Sequence, residues 1–285
     1  MVVAVLPHGI PSNICTNLAR LSLSSANVIG GEYEGDTKNG KLGDLAADDH
    51  LVMMVSSKAL LADLRCLRCQ VSIVAVEPPA IQRRYYRLLP LLANRYQSIF
   101  TYSRTLGRLA NARYIAHGGC SIPEHKPLGP KLGGVSLLSS AKRSTSGHRL
   151  RHEIASWARA QERDLRLFGR GYHPVDCISE ALARFHFSVV IENSRYDGYF
   201  TEKLIDCLYC RTIPIYWGDP SITNVFDPRG LIRCSNRHEI TEALRSVNEA
   251  EYLQMLPYIE ANHLRARSYL SHMVTRVAKE LCATA

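Results

Sequence analysis

Along the first 118 residues, short runs of β-branched and aliphatic positions alternate with amphipathic stretches, the pattern of a parallel sheet wrapped by helices. "VVAVLPHG" from Val2 predicts a strand and turn, and "NICTNLARLSL" from Asn13 its helix. "HLVMMVS" from His50 predicts a buried strand, followed by a helix in "SKALLADLRCLRC". "QVSIVAVEPP" from Gln70 is a strand that ends in Glu77 and two prolines. "AIQRRYYRLLPLLANRY" is then a helix with Ile81, Tyr85, Leu88 and Leu92 on its inner stripe, before the strand "SIFTYS".

Periodicity is lost in "GGCSIPEHKPLGPKLGG", Gly118 to Gly134, and is replaced by Gly, Pro and Lys. This composition marks a linker, and places a first domain at 1–118, the linker at 119–134 and a second domain at 135–285. The second series opens with the strand "GVSLLSS" and the helix "GHRLRHEIASWARAQ", where Leu150, Ile154, Trp157 and Ala158 recur at helical spacing. "LRLFG", "FSVVIEN" and "TIPIYWG" predict strands, "TEKLIDCLYC" the helix before the last of them, and helix prevails from residue 238 onward. The expected fold is α/β, two Rossmann-like domains facing across a cleft, with ligands outside the carboxyl ends of strands.

Composition narrows the function classes. The chain has 285 residues, 46% hydrophobic and 21% charged, values of a folded globular protein without low-complexity tracts. A net charge of +9 suits an anionic small molecule, nucleic acid or peripheral contact with an acidic membrane face. No apolar run approaches the ~20 residues needed to span a bilayer, and "MVVAVLPHGIPSN" lacks the features of a signal peptide, so a cytoplasmic location is expected. Nine scattered cysteines and the lack of an N-x-S/T sequon point to reduced thiols. The CxxC pairs Cys66/Cys69 and Cys207/Cys210 have zinc-ligand spacing, but their helix-periodic, apolar context favours packing over a metal site.

Three strand ends carry candidate chemistry. Glu77 precedes Pro78-Pro79, which start a helix rigidly; its carboxylate is a general base or a helix N-terminal cap. "SAKRSTSGHRLR", Ser140 to Arg151, offers Lys142, Arg143, Arg149 and Arg151 beside free helix amides, as a diphosphate site or a solvated basic face. In "VVIENSRYDGYFTEKL" a strand delivers Glu192, Asn193 and Ser194, Asp197-Gly198 turns the chain, and Thr201 is a suitable N-cap. Glu202 and Lys203 follow in the first helical turn. A glutamate suits the positive end of a helix and a lysine does not, so Lys203 there predicts a nearby anion such as a nucleotide diphosphate.

From Phe187 to Ile232, "FSVVIENSRYDGYFTEKLIDC" and "RTIPIYWGDPSITNVFDPRGLI" resemble the donor domain of family 10 glycosyltransferases, the α1,3/α1,4-fucosyltransferases, in their bacterial and viral form. The shared features are E-N-S, Y-x-T-E-K-L at the family spacing and I-P-I-Y-W-G; "GHRLRHEI" and "VEPP" fit more loosely, and Ile191 stands where the family commonly has Phe. The resemblance implies a GT-B arrangement and inverting transfer of L-fucose from GDP-fucose to a glycan hydroxyl, α1,3-type, with no metal or other cofactor. It implies Lys203 and Arg151 on the diphosphate, Glu202 on ribose, Asn193 and Tyr199 lining the donor pocket, and Glu77 as base. Glu192, Ser194 and Gly218 are further candidates, and Arg149 is the alternative to Arg151 if the helix is offset by two residues. Expected partners are a nucleotide-sugar donor and a glycan acceptor. Other readings are another nucleotide sugar, a non-catalytic glycan binder, or a nucleic-acid binder suggested by "RRYYR". Against the last, no nucleic-acid recognition motif is present.

Overall fold

The fold is that of a computed structural model in which residues 1–6, 17–30 and 39–283 are described. Its elements are β1 (Val3–Leu6), β2 (Asn27–Ile29), β3 (His50–Met54), α1 (Ser57–Leu61), β4 (Gln70–Ala75), α2 (Pro79–Leu88), β5 (Ser98–Thr101) and β6 (Ala112–Tyr114). There follow β7 (Val135–Leu138), α3 (Ser146–Ala160), β8 (Leu165–Phe168), α4 (Ile178–Leu182), β9 (Phe187–Ile191), α5 (Glu202–Tyr209) and β10 (Ile213–Trp217). The chain ends with β11 (Ile232–Arg233), α6 (Arg237–Ser246), α7 (Glu249–Ala266) and α8 (Met273–Ala283).

These elements form two compact units, residues 1–116 with α8, and residues 117–272. The first holds a six-stranded sheet in the order β2-β1-β3-β4-β5-β6, parallel except for β2, which pairs antiparallel with β1. The second holds a parallel five-stranded sheet, β11-β10-β9-β7-β8. All five residues of β9 and of β10 are buried, which is why these strands are unbroken apolar text rather than alternating. β7 comes first of these in the chain yet lies fourth from the β11 edge, with β8 on one side and β9 on the other. The connection direction therefore reverses between β7 and β9, and a crevice opens outside the carboxyl ends of such a strand pair.

Several predicted elements differ in detail. Of "NICTNLARLSL", residues 13–16 lie outside the described residues, and the rest form 3-10 turns at Leu18–Arg20 and Leu23–Ser25. The turn residues His8 and Gly9 of the first predicted strand also lie outside them. Helix α1 stops at Leu61, and Leu64–Cys66 makes a separate 3-10 turn capped by Asp63. The predicted inner stripe of α2 holds in part: Tyr85 and Leu92 are half-buried against the core, but Ile81 is 48% and Leu88 45% exposed, and Leu89 and Ala93 are buried in their stead. Gln82 leaves helical geometry (φ −122°, ψ 35°) and the chain tightens to a 3-10 helix over Leu89–Arg95, so positions counted at 3.6 residues per turn rotate off the core.

Helix α8, expected with the second domain, packs with the first unit. Its Met273, Val274, Val277, Ala278 and Leu281 are buried, and Arg276 donates to the Ala116 carbonyl at 2.8 Å. Periodicity identified an amphipathic helix but could not name the sheet that covers it.

Residues 119–134 form a strap bound to the second unit. Gly119 and Cys120 N–H groups donate to the Tyr269 and Leu270 carbonyls, and the Ser121 N–H to Asp206 Oδ1 at 2.7 Å. Lys131 Nζ donates to the Phe185 carbonyl (2.7 Å), the Cys210 carbonyl (2.9 Å) and Thr212 Oγ1 (2.6 Å). Cys207 and Cys210 are 0% and 2% exposed, and the Cys207 thiol donates to the Thr212 carbonyl, so this CxxC pair packs in the α5–β10 corner that Lys131 closes. Lys131→Ala, which strands these acceptors, is expected to cost about 2–4 kcal/mol by urea denaturation; a change within about 0.5 kcal/mol would mean that the ammonium does not hold the corner.

Candidate functional site

A cavity of about 590 Å³ lies in the second unit at the β7/β9 reversal, lined from β7 and its following turn (Leu138, Ser139, Ser140, Lys142), from α3 (His148, Arg151) and from Asn193 after β9. Helix α5 contributes Glu202, Lys203 and Asp206, and Arg170, Pro174 and Val175 also line the cavity. Two local features bring these together. Thr145 caps α3, and the Gly147 N–H donates to the Asn193 carbonyl at 3.2 Å. A Cβ at Gly147 would overlap the Glu192 carbonyl oxygen, so only glycine lets the helix start this close to the strand end.

Arg151 is 3% exposed. Its Nε donates to the Ile191 carbonyl at 2.9 Å, Nη2 to the same carbonyl, and Nη2 also to Asn193 Oδ1 at 3.1 Å. Burial lowers the pKa of this guanidinium, opposed by Glu192 and Glu202. Arg149 is exposed, bonds the Arg143 and Ser144 carbonyls, and does not line the cavity. Geometry thus separates two arginines that the sequence left as alternatives.

Glu192 has no exposed surface. Its Oε1 accepts from the Thr201 N–H and its Oε2 from the Thr201 hydroxyl, each at 2.8 Å, and Oε2 stands 4.0 Å from Lys203 Nζ. Burial raises its pKa against the opposing pull of Lys203. Thr201 in turn caps α5 by accepting from the Lys203 N–H. Lys203 Nζ bonds Glu202 Oε1 at 2.8 Å and Thr201 Oγ1 at 3.1 Å. Burial disfavours the Lys203 ammonium, yet Glu192 and Glu202 together lift its pKa above the ordinary lysine value. The cation that seemed out of place at a helix N-terminus therefore has two carboxylates in the chain itself, one of them invisible to local sequence.

The remaining predicted residues fall outside the cavity lining. Tyr199 is 1% exposed and packs inward beside Arg151 and Tyr216 rather than lining the cavity, because the turn at Gly198 (φ 77°) folds it into the core. Ser194 is buried, its hydroxyl without a hydrogen-bond partner among the described residues. Gly218 is a packing position, where a Cβ would meet the Tyr216 hydroxyl and Glu192 Cγ. Glu77 belongs to the first unit, half-buried just beyond β4, with its carbonyl accepting from the Tyr86 hydroxyl at 3.0 Å. Among the described residues no group of three or more His, Cys, Asp or Glu side chains is arranged to hold a metal ion, and no helix is long and apolar enough to cross a membrane.

Residues 139–284 match the profile of glycosyltransferase family 10 (fucosyltransferase), C-terminal region. The chain belongs to glycosyltransferase family 10. All the cavity residues named above except Leu138 fall inside the family 10 match, and Glu77 falls before it. The α-(1,3)-fucosyltransferase FucT of Helicobacter pylori is 33% identical over 96 residues, which are 32% of this chain and 20% of that protein. The shared stretch thus spans a fifth of the curated relative. An α1,3-fucosyltransferase solved with GDP-fucose is 16% identical, with a TM-score of 0.53 over 86% of this chain and 78% of its own. TarM of S. aureus, solved with UDP among its ligands, is 12% identical, with a TM-score of 0.54 over 84% and 55% of the respective chains. Likeness at this level concerns the two-domain, GT-B-like fold and does not select a nucleotide.

Sequence reasoning missed Asp206, Arg170 and His148. Asp206 could have been found as the residue one helical turn after Glu202 on the same face of α5. Burial pushes its carboxyl up to about 6, against the Ser121 N–H bond. The folded state thus holds this proton more tightly than the unfolded chain, so the contribution to stability is full below about pH 4 and lost as pH rises through 6. Asp206→Asn, which retains an acceptor for Ser121, is expected to gain up to about 3 kcal/mol at pH 7.5 and nothing at pH 4 by urea denaturation; an equal gain at both would contradict the assignment.

Proposed function

We propose that this family 10 chain transfers L-fucose from GDP-fucose to a glycan hydroxyl, α1,3-type, with inversion. The observation that carries the reading is the set of cations lining the cavity, Lys142, Arg151 and Lys203, with the helix starts of α3 and α5, where a diphosphate finds charge and backbone donors together. The second unit is then the donor domain and the first the acceptor domain, with residues 119–134 as the connection. A cytoplasmic setting accords with the free thiols among the described residues.

In this mechanism Arg151 binds through its Nη1 protons, since Nε and Nη2 already hold Ile191 and Asn193. Lys203 exchanges its bond to Glu202 for one to a phosphate oxygen, and the freed Glu202 accepts from ribose hydroxyls. Asn193 orients Arg151, and Tyr199 supports it from behind. As the C1–O bond to the diphosphate lengthens, negative charge grows on the leaving oxygen next to these cations, which lowers the barrier. The acceptor oxygen bonds to C1 from the opposite face, and its proton passes to the Glu77 carboxylate. Fucosylated glycan and GDP are the products.

Lys203→Ala and Arg151→Ala are expected to raise the Kd for GDP by roughly ten- to a hundredfold each in calorimetric titration. Glu77→Gln should bind GDP-fucose within about twofold of wild type while turnover falls at least ~100-fold. Unchanged GDP affinity in both cation variants would sink the diphosphate assignment, and full turnover by Glu77→Gln would remove the base. A thermal-shift screen of GDP, UDP, dTDP and their sugars tests nucleotide choice: stabilisation by UDP or dTDP sugars but not by GDP-fucose would redirect the reading to another donor.

A further inference from the structure

The reciprocal cap at the start of α3 uses an unusual residue. Thr145 Oγ1 accepts from the His148 N–H at 3.2 Å, and the Thr145 N–H donates to His148 Nδ1 at 3.3 Å. In this box the third helical position is ordinarily Glu or Gln, whose side-chain oxygen takes the returning bond. A backbone N–H can only donate, so Nδ1 accepts and the single proton of the neutral ring is on Nε2. The side chain is 8% exposed and lines the cavity with Lys142, Arg151 and Lys203. Nε2 has no hydrogen-bond partner among the described residues.

We propose that His148 is a further donor-binding residue, its Nε2–H held by the α3 cap so as to hydrogen-bond a phosphate oxygen of the nucleotide sugar. The proposal rests on the nucleotide-sugar reading of the cavity. It accounts for histidine in place of glutamate, since a capping carboxylate would add negative charge to a wall built to receive an anion, whereas imidazole caps through one nitrogen and donates through the other.

The charges acting on the ring are those of Arg151, Lys142, Lys203 and His152, and together with burial, the larger effect, they push its pKa down to about 4. Protonation would place a second N–H at Nδ1 against the Thr145 N–H, so the cap keeps the ring neutral in the complex as well. The diphosphate of a nucleotide sugar does not itself titrate between pH 5 and 8. The His148 contribution to donor affinity should therefore be the same at pH 7.5 and at pH 5.5. Asp206 also lines the cavity, its carboxyl pushed up to about 6 by burial, and its protonation would favour an anion, so a gain in affinity on acidification belongs to Asp206.

The test is calorimetric titration of the full chain with GDP-fucose at both pH values, for wild type, His148→Gln, His148→Glu and Asp206→Asn. His148→Glu rebuilds the usual cap and keeps the fold, yet is expected to lose at least ~10-fold in affinity. His148→Gln supplies both a cap acceptor and an N–H; it should bind within about threefold of wild type at both pH values. Asp206→Asn should lose any gain on acidification that wild type shows, and on binding the ring ¹⁵N resonances of His148 should keep the neutral Nε2–H pattern. Wild-type affinity in both His148 variants, or an imidazolium ¹⁵N pattern on binding, overturns the assignment while leaving the donor reading intact. A wild-type chain that binds no nucleotide sugar at all overturns the donor reading and His148 with it.

Discussion

A carboxylate without exposed surface, Glu192, is the point on which the second unit turns. Its backbone N–H donates to the Trp217 carbonyl across the β9–β10 ladder, its carbonyl is the surface against which Gly147 brings α3, and its Cγ leaves no room for a Cβ at Gly218. Its two carboxylate oxygens are spent on Thr201, the residue that caps α5. Burying a carboxylate is costly unless it is hydrogen-bonded and paired, and Lys203 provides the pairing at 4.0 Å. The strand end, both helix starts and the lysine are therefore set by one group.

That arrangement determines what the cavity can do. Its lining carries Lys142, Arg151, Arg170 and Lys203 against Glu202 and Asp206, so positive charge is in excess where two helices also present their N-terminal donors. Lys203 is held in place by internal carboxylates, so the site is organised before an anion arrives, and such preorganisation is what makes electrostatic stabilisation of a leaving group effective. Arg151 is fixed in the same way, by the Ile191 carbonyl and the Asn193 side chain. The site is built from strand ends and first helical turns rather than from long loops.

Much of this was legible in the chain. Every predicted strand from "HLVMMVS" onward has a counterpart, because strands buried on both faces are written as unbroken apolar runs. Thr201 as cap and Glu202-Lys203 in the first turn of α5 follow from local helix rules. Local rules failed where geometry departs from the ideal period, as at Gln82 and the 3-10 turn behind α2. They also missed short elements with little pattern to read, β2, β6 and α4. Residues 119–134 had the composition of a linker, yet Lys131 is tied to partners 54 to 81 positions away, and composition carries no information about such bonds.

Most elements and their order, the family and the residue types available for holding a diphosphate can be read from the chain, since helix caps, apolar periodicity and a motif are all local properties. That Arg151 rather than Arg149 enters the cavity, that Lys203 is already paired with Glu192, that Tyr199 faces the core and that His148 and Asp206 both line the cavity emerged only on folding. Each of these depends on which strand end meets which helix start, and the contacts that settle it join residues far apart in the chain, brought together when β9 takes its place beside β7 and β10.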